Sequence, residues 1–493
     1  MKRKLYAALF ICLFIVQAGW AQRPVEGDYK DSPVMPVGIM GQRIQSLLDT
    51  MNSGDMERVR KFISTECAER FRNMVPMDEH ISVFLGFFRE TGGIDFQGIR
   101  TYVPERQGET VVIVKDRNLE DWQGIVVRFG AAPEHLIAGI GFSPARPPKS
   151  VQELPLTQEE FLSQTRTFMT KLIDKGLFSG TLLVAKGDQV LLTMAAGEAS
   201  KAFHVPNNID TKFNLGSMNK MFTSTAIVQL AEKGKLSLDD PISKYIDESW
   251  LPKEVTAKIT IRHLLTHSSG LGSYFNETYD KSSRALFRKL DDYKSLIKDD
   301  RPAFEPGKQC QYSNTGMFLL GVVIEKVAGE DYFATIRKAI YEPAGMTNTD
   351  CYEMDYPVQN LAIGYSLDPK SSYGWQNNLY KHVIKGGPAG GGFSTVKDLH
   401  KFALALLDGK YVSKESLKNM WTDHLKADYG YGFSVSEGPA GKVVGHGGGF
   451  DGINSNLDIY VDTGCIVAVM SNVDQGASPV ARKIGHLLAR VKN

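Results

Sequence analysis

Net charge of either sign is nearly absent from this chain. Its 493 residues hold 57 lysines and arginines against 56 acidic residues, a formal net charge of +1. Lys2, Arg3 and Lys4 lie in a segment that we expect to be removed, and without them 54 basic residues face 56 acidic ones. A nearly neutral protein has little electrostatic attraction for nucleic acid or for an anionic membrane. The sequence therefore argues against both as partners.

Cysteine is scarce as well. Beyond residue 21 the chain keeps only Cys67, Cys310, Cys351 and Cys465, which are widely spaced and include no CxxC pair. This pattern excludes a zinc ribbon and a densely disulfide-bonded miniprotein, although an exported protein can still pair some of these residues. We expect no metal site and no cofactor.

A long apolar run is also missing, since no segment after the N-terminus approaches the ~20 apolar residues of a membrane-spanning helix. The N-terminus reads "MKRKLYAALFICLFIVQAGWA", with a basic start, an apolar run from Leu5 to Val16 and the small residue Ala21. This arrangement predicts a secretory signal peptide over residues 1–21, with a retained N-terminal anchor as the alternative. We therefore expect an exported protein, periplasmic or extracellular, without a membrane span once the signal is removed.

The rest of the chain has the composition of a folded protein, with 42% hydrophobic and 23% charged residues. Between residues 34 and 145, helix-like segments such as "DMERVRKFISTECAERF" precede strand-like ones such as "ETVVIVKD" and "WQGIVVRFG". We predict a small α+β domain here. Pro147, Pro148 and Pro155 then indicate a stiff linker over residues 146–156.

A second domain is predicted over residues 157–493. Thr157 and Glu160 have the spacing of a capping box at the start of a helix that runs to about Lys175. A hairpin follows with its turn at Gly187 and Asp188, and the middle of the domain is mainly helical. The strands "NLDIYVDTG" and "CIVAVMSN" come near the end, which indicates a sheet assembled from distant parts of the chain.

Within this domain, Lys220 is the only charged residue between Ser217 and Ala231. On a helix, Ser217 and Lys220 lie about one turn apart and share a face. A lysine without hydration has a lowered pKa, so a neutral amine becomes available near neutral pH. A serine needs such a base nearby to act as a nucleophile. The pair therefore indicates nucleophilic catalysis, with a structural helix cap and an incidental lysine as the alternative.

The SxxK spacing alone is a weak signal, because it occurs twice more. Ser295 and Lys298 stand in "DDYKSLIKDDR", a charged segment typical of a solvated surface. Ser394 and Lys397 stand in "FSTVKDLHKF", where we expect Ser394 to be a helix N-cap.

Two later motifs complete the candidate site. In "FEPGKQCQYSNTGMFLLG", Tyr312 and Asn314 are two residues apart in a predicted extended stretch, so both side chains can face one cleft. In "VVGHGGGFDG", the glycines allow close approach of backbone to a ligand, and His446 lies at their edge.

This ordered set resembles the serine β-lactamase and penicillin-binding protein superfamily, in its class C β-lactamase and esterase branch. The resemblance covers residues of about 157 to 490, including "ITIRHLLTHSSGL", "EPGKQCQYSNTG" and "GGPAGGGFSTVKDL". It implies an α+β, β-lactamase-like fold, in which an antiparallel sheet flanked by helices accompanies a helical region.

The resemblance also implies a role for each motif residue. Ser217 is the expected acylated nucleophile, and Lys220 and Tyr312 are expected to move protons as a coupled pair. The expected substrate contacts are Asn314, which is also expected to touch Lys220, and His446, Gly447 and Gly448. The backbone N–H groups of Ser217 and Gly449 would form the oxyanion hole.

One departure from the family pattern affects the expected substrate. His446 and Gly447 replace the lysine and threonine of the family's KTG strand, which supply a cation and a hydroxyl for the carboxylate of a β-lactam. We expect an exported serine hydrolase that acts on an ester, an amide or a small, D-amino-acid-containing peptide rather than an efficient β-lactamase. The alternative is a non-catalytic cell-wall or peptide-binding receptor. As a substrate anchor, His446 is expected to donate a hydrogen bond and to charge near neutral pH.

Two competing patterns fail. The HGGG of α/β-hydrolase esterases precedes a GxSxG motif, which this chain lacks. His263 and His267 have the spacing of a zinc pair, but the glutamate of HExxH is missing, which favours structural histidines.

The first domain loosely resembles the cystatin-like cone of nuclear-transport-factor-like proteins, in its order of helices and strands and in "NSGDMERVRKFIS". No candidate site residue falls within it, so we expect an accessory role.

Overall fold

A computed structural model describes residues 28–104, 108–368 and 371–492 of the chain. The predicted signal peptide, residues 1–21, lies outside the described residues. The chain divides into two compact units, one ending at Pro155 and the other beginning at Leu156.

The first unit is built on a five-stranded antiparallel sheet whose strands lie side by side in chain order. Its strands are β1 (Asp28–Ser32), β2 (Ile94–Val103), β3 (Glu109–Asp116), β4 (Trp122–Phe129) and β5 (Ile137–Pro144). Its helices are α1 (Ile39–Met51), α2 (Met56–Glu66), α3 (Glu69–Arg72) and α4 (Met77–Thr91).

Alternation along the strands decides which face the helices cover. Val112 and Val114 of β3 join the helical residues Leu47 and Phe62 in one core, while Ile113 belongs to a separate cluster. The unit is thus α+β, as predicted. It begins earlier than residue 34, because β1 pairs with β2 along its whole length.

The second unit contains the candidate site residues. Its strands are β6 (Gly180–Lys186), β7 (Gln189–Ala196), β8 (Glu198–Ser200), β9 (Val205–Pro206), β10 (Phe213–Asn214), β11 (Tyr365–Leu367), β12 (Trp375–Asn377), β13 (Phe393–Ser394), β14 (Ser434–Gly438), β15 (Gly441–Phe450), β16 (Ile453–Tyr460) and β17 (Cys465–Ser471). Its α-helices are α5 (Gln158–Asp174), α6 (Asn219–Glu232), α7 (Lys253–Thr256), α8 (Ile261–Leu265), α9 (Glu277–Lys281), α10 (Lys294–Ile297), α11 (Asn314–Ala328), α12 (Tyr332–Ile336), α13 (Glu342–Ala344), α14 (Val396–Leu407), α15 (Lys414–Met420) and α16 (Ser478–Leu488).

The main sheet of this unit joins the two ends of the domain. Its strand order is β14, β15, β16, β17, β6, β7, and every neighbouring pair is antiparallel. Pairing of β17 with β6 places Ser471 opposite Gly180. Helices α5 and α16 pack together, and α14 packs on β6 and β17. The α+β prediction, with an antiparallel sheet, flanking helices and a helical region, is confirmed.

Helices α6 and α11 form the centre of the helical region. Every residue of α6 from Asn219 to Leu230 is buried, as is every residue of α11 from Thr315 to Ile324. Burial on all sides explains why both segments lack an amphipathic pattern.

The expectations about the cysteines and about a membrane span can be compared with the described residues. The four cysteines Cys67, Cys310, Cys351 and Cys465 are all free thiols. In the described part of the chain, each helix is too short or too polar to cross a lipid bilayer.

Candidate active site

Ser217 lies in the 3-10 turn Gly216–Met218, which leads directly into α6. Gly216 has φ +51°, and a Cβ atom there would stand 2.8 Å from the backbone nitrogen of Gly449. Only glycine therefore lets β15 approach the turn so closely. The half-buried Ser217 is thus held beside the backbone of β15.

Lys220 is the second residue of α6 and is fully buried. Its Nζ atom donates a hydrogen bond of 2.5 Å to the carbonyl oxygen of Ala389 and lies 4.8 Å from the centre of the Tyr312 ring. Burial holds the pKa of Lys220 well below that of an ordinary lysine. The site thus favours a neutral amine at this position.

Tyr312 is partly exposed and directs its hydroxyl to Ser217. The residue is 45% exposed, yet its hydroxyl end lies against Ser217. Burial of that end raises the pKa of Tyr312 above its usual range, and a hydrogen bond with Ser217 acts in the opposite direction. The phenol therefore keeps its proton at neutral pH.

The sequence predicted that Asn314 lies in an extended stretch, but the structure places it as the first residue of α11. The Ser313 side chain caps this helix by accepting a hydrogen bond from the Gly316 N–H. The Asn314 amide donates to Ser273 Oγ at 3.3 Å. Among the described residues no hydrogen bond joins Asn314 to Lys220, whose Nζ atom donates to Ala389 instead.

His446 lies on β15 with both ring nitrogens engaged. Its Nδ1 atom contacts the carbonyl oxygen of Gly447, and its Nε2 atom lies 3.1 Å from the Tyr429 hydroxyl. A carbonyl only accepts, so Nδ1 carries the proton and Nε2 accepts from Tyr429. The imidazole therefore has no free donor for a substrate.

The charge expected on His446 is wrong. Burial lowers its pKa to about 3, a positive charge on Lys220, whenever that amine is protonated, acts in the same direction, and the hydrogen bond to Gly447 opposes both. The ring is neutral at physiological pH because burial disfavours an imidazolium.

The three glycines after His446 occupy different surroundings. A Cβ atom at Gly448 would stand 1.9 Å from the carbonyl oxygen of Leu215, whereas the nearest atom at Gly447 is 3.5 Å away. At Gly449 the nearest atom is 3.9 Å away. Strand β14 pairs with β15 only as far as Gly445, so in the described chain the outer edge of β15 beyond that residue has no strand partner.

His267 also lies in the candidate site, although the sequence predicted only a structural role for it. Its ring lies between those of Tyr312 and Tyr429, with centroids 4.4 and 4.6 Å away. Its Nδ1 atom accepts a hydrogen bond from the Ser313 N–H, and its buried Nε2 atom has no hydrogen-bond partner among the described residues. His263, in contrast, caps α8 at Thr260. The two histidines thus have separate local roles.

The other two SxxK pairs stand apart from this geometry. Ser295 is exposed on α10 with Lys298 just beyond that helix. Ser394 is buried in β13, and the N-cap of α14 is Thr395 instead, whose side chain accepts from the Asp398 N–H. Strand pairing with β10 accounts for this difference of one residue.

Motif spacing could not identify three of the groups described above. The Ala389 carbonyl, Tyr429 and the His267 ring reach the site from segments far from Ser217 in the chain. The glycine-rich stretch at residues 386–392 was the one available signal. A Cβ atom at Gly390 there would stand 2.8 Å from the carbonyl oxygen of Gly216.

Known proteins are similar to the second unit in sequence. A sequence model of the family described as Beta-lactamase matches residues 165–491. Penicillin-binding protein 4* of Bacillus subtilis (strain 168) is 32% identical over 329 residues, which are 63% of this chain and 71% of that protein.

Solved structures of related proteins also align with this chain. The penicillin binding protein from Bacillus halodurans aligns with a TM-score of 0.60 and 32% identity, over 65% of this chain and 98% of that one. A D-stereospecific amidohydrolase from Streptomyces sp. aligns with a TM-score of 0.52 and 27% identity, over 62% of this chain and 92% of that one.

Proposed function

This chain belongs to the beta-lactamase family, and from that membership we propose that it is an exported serine hydrolase working through an acyl-enzyme on Ser217. The observation that carries the proposal is a half-buried serine that is hydrogen-bonded to a tyrosine whose ring centre lies 4.8 Å from the amine of a buried lysine. In the first step, Ser217 Oγ forms a bond to a substrate carbonyl carbon. Its proton passes to a base, and the leaving group departs with a proton.

Lys220 is the base that the electrostatics favour. Its lowered pKa supplies a neutral amine, whereas the raised pKa of Tyr312 disfavours a tyrosinate. Lys220 then accepts the serine proton and returns it to Tyr312 as that residue, which shares a hydrogen bond with Ser217, passes its own proton to the leaving group, so both side chains end in their starting protonation states. We propose that a water molecule then attacks the acyl carbon and gives its proton to the same groups. The bond to Ser217 Oγ breaks, and the serine regains its proton.

The backbone near Ser217 suits the negative charge that develops on the carbonyl oxygen. We propose that the N–H groups of Ser217 and Gly449 bind this oxyanion, because Gly216 allows the two segments to approach closely. Asn314, Gly447 and Gly448 would line the path of the substrate on either side.

The absence of a cation at the position of His446 bears on the substrate. A neutral ring with both nitrogens engaged gives no anchor for a carboxylate. We therefore propose esters, amides or small peptides, including those of D-amino acids, as substrates. Efficient hydrolysis of penicillins is not expected, because their carboxylate would lack a partner there.

Labelling with a serine-reactive fluorophosphonate tests the proposal. The wild-type protein should be labelled and should hydrolyse a short-chain ester, and Ser217→Ala should abolish both. Ser295→Ala is the matched control, since Ser295 is an exposed serine of the same SxxK spacing and should leave labelling intact. Persistent labelling of Ser217→Ala would remove the central claim. A wild-type protein that binds peptides but is neither labelled nor active would favour the receptor function instead.

A further inference from the structure

Phe275 is an exposed aromatic residue with a rigid support. It is 43% exposed, and its ring lies 4.6 Å from the ring of Tyr274 and 4.9 Å from that of Tyr279. Tyr274 is itself buried and packs on Phe318 of α11. The ring of Phe275 is therefore held in place while one side stays open to solvent.

Phe450 extends this apolar surface to the candidate oxyanion hole. It is the last residue of β15 and directly follows Gly449. The rings of Phe450 and Phe275 are stacked, with centroids 6.0 Å apart and planes at 27°. We call this pair the aromatic wall.

The position of the wall relative to Tyr312 decides which part of a substrate it meets. Tyr312 lies at the His446 end of β15, with ring centroids 6.4 Å apart. At a rise of ~3.3 Å per residue, Phe450 is about 13 Å further along the strand than His446. Since Tyr312 protonates the leaving group in the proposed reaction, the leaving group lies at the His446 end. The acyl group then extends past Gly449 to the aromatic wall.

The position of Asn314 also puts the aromatic wall on the acyl side of the site. Its amide donates to Ser273, which lies two residues before Phe275 in the same loop. A substrate acyl group between Asn314 and β15 would thus reach Phe275 directly.

Two opposite charges beside the wall pair with each other. Asp451, next to Phe450, forms a salt bridge of 2.6 Å with Lys381. Neither charge is left to attract an ionic acyl group, whereas two stacked rings offer an apolar face for another ring.

We propose that the aromatic wall, Phe275 and Phe450, is the acyl-group subsite of this hydrolase and selects acyl groups that carry an aromatic ring. This proposal rests on the proposed function, because it assumes acyl transfer at Ser217. Both phenylalanines are specificity-determining residues that contact the substrate away from the reacting atoms.

Two esters with one leaving group test the subsite. The substrates are p-nitrophenyl phenylacetate and p-nitrophenyl acetate, and the readout is the ratio of their kcat/KM values. Phe275→Ala and Phe450→Ala should each lower the phenylacetate-to-acetate ratio by about fivefold or more, the size of a lost aromatic contact. Phe275→Tyr, which keeps the ring, should retain the ratio of the wild-type protein.

The control is Phe203→Ala, a substitution of another exposed phenylalanine in the turn between β8 and β9. It should leave the ratio unchanged. A ratio that stays constant in both wall variants, or that falls equally in Phe203→Ala, would overturn the subsite.

Fluorophosphonate labelling of every variant separates the two proposals. Labelled Ser217 with an unchanged ester ratio rejects the subsite alone. A wild-type protein that is not labelled rejects the proposed function, and the subsite with it.

Discussion

At the scale of single residues, Lys220 shows how far a local pattern can predict chemistry. A lone charge in an uncharged helical segment predicted a buried lysine, and the structure buries it completely. The same reasoning could not find Tyr429 or the Ala389 carbonyl, because no local spacing connects them to Ser217. It also assigned His446 the wrong charge, since the burial of a strand residue depends on the segments packed around it.

Replacing Lys220 should separate activity from stability. Lys220→Met removes the proposed base and should lower kcat by about 10²–10⁴-fold. The same variant should be more stable at pH 7, because the folded pKa of Lys220 lies well below its unfolded value of 10.5. Between those two values the unfolded chain binds more protons, so the wild-type protein gains stability as the pH rises toward 10.5.

Urea unfolding at several pH values measures this difference. The wild-type free energy of unfolding should rise over that window relative to the variant, and the two should converge at its alkaline end. A variant that is less stable than the wild type at pH 7 would contradict the expected pKa of Lys220.

His446 should stay neutral across the pH range in which most proteins work. Its pKa of about 3 means that the imidazole gains a proton only in strong acid. Two-dimensional NMR of the ring resonances, assigned with a His446→Gln variant, should show no titration of His446 between about pH 5 and pH 8. A midpoint near 6.5 would mean that the ring can serve as a cationic anchor after all.

At the scale of elements, the regular strands were predictable and the irregular ones were not. The run of β-branched residues in "ETVVIVKD" matches β3 over Glu109–Asp116. Strand β2 escaped prediction because its pairing shifts register between Phe96 and Gly98, which breaks the alternation. Strand β1, "DYKDS", is a polar edge strand without an apolar pattern.

Strand β15 offers a matched pair of glycine substitutions. Gly448→Ala places a Cβ atom 1.9 Å from the Leu215 carbonyl oxygen, so the strand or the Ser217 turn must move. Gly447→Ala meets no atom closer than 3.5 Å. We expect Gly448→Ala to lower the free energy of unfolding by about 1–3 kcal/mol and to weaken activity, because the shift displaces the candidate oxyanion hole.

Denaturant unfolding and ester hydrolysis of both variants check this expectation. Gly447→Ala should keep the stability of the wild-type protein. Equal stability of the two variants would mean that β15 and the turn are not in close contact.

At the scale of the whole molecule, the two ends of the second unit depend on each other. Its sheet places β17 beside β6, although these strands are separated by most of the domain. Leu156 adds a second tie, since its N–H donates to the Arg490 carbonyl and its own carbonyl accepts from the Lys492 N–H. The sequence predicted strands at both ends of the domain, but their order in the sheet follows from pairings that leave no local trace.

These contacts determine where the chain can be truncated without disturbing the second unit. Residues 146–149 belong with the first unit, since Arg100 donates to the Arg146 carbonyl and Lys149 forms an ion pair with Asp28. Residues 151–155 are exposed. A protein that begins at Val151 therefore keeps Leu156 and every candidate site residue. We expect it to fold and to hydrolyse the same esters with a kcat/KM comparable to that of the full chain, because the first unit supplies no proposed catalytic group.

A protein that begins at Thr157 is the matched comparison. It loses the buried Leu156 and both of its backbone hydrogen bonds, which should reduce the free energy of unfolding by about 1.5–3 kcal/mol from the lost apolar burial. Thermal unfolding and ester hydrolysis of the two shortened proteins distinguish a structural effect from a catalytic one. If the Val151 protein folds with full stability yet is inactive, the first unit takes part in catalysis, and its accessory role is rejected. If it is active and only the Thr157 protein is destabilised, the hydrolase is contained in the second unit and Leu156 marks its structural beginning.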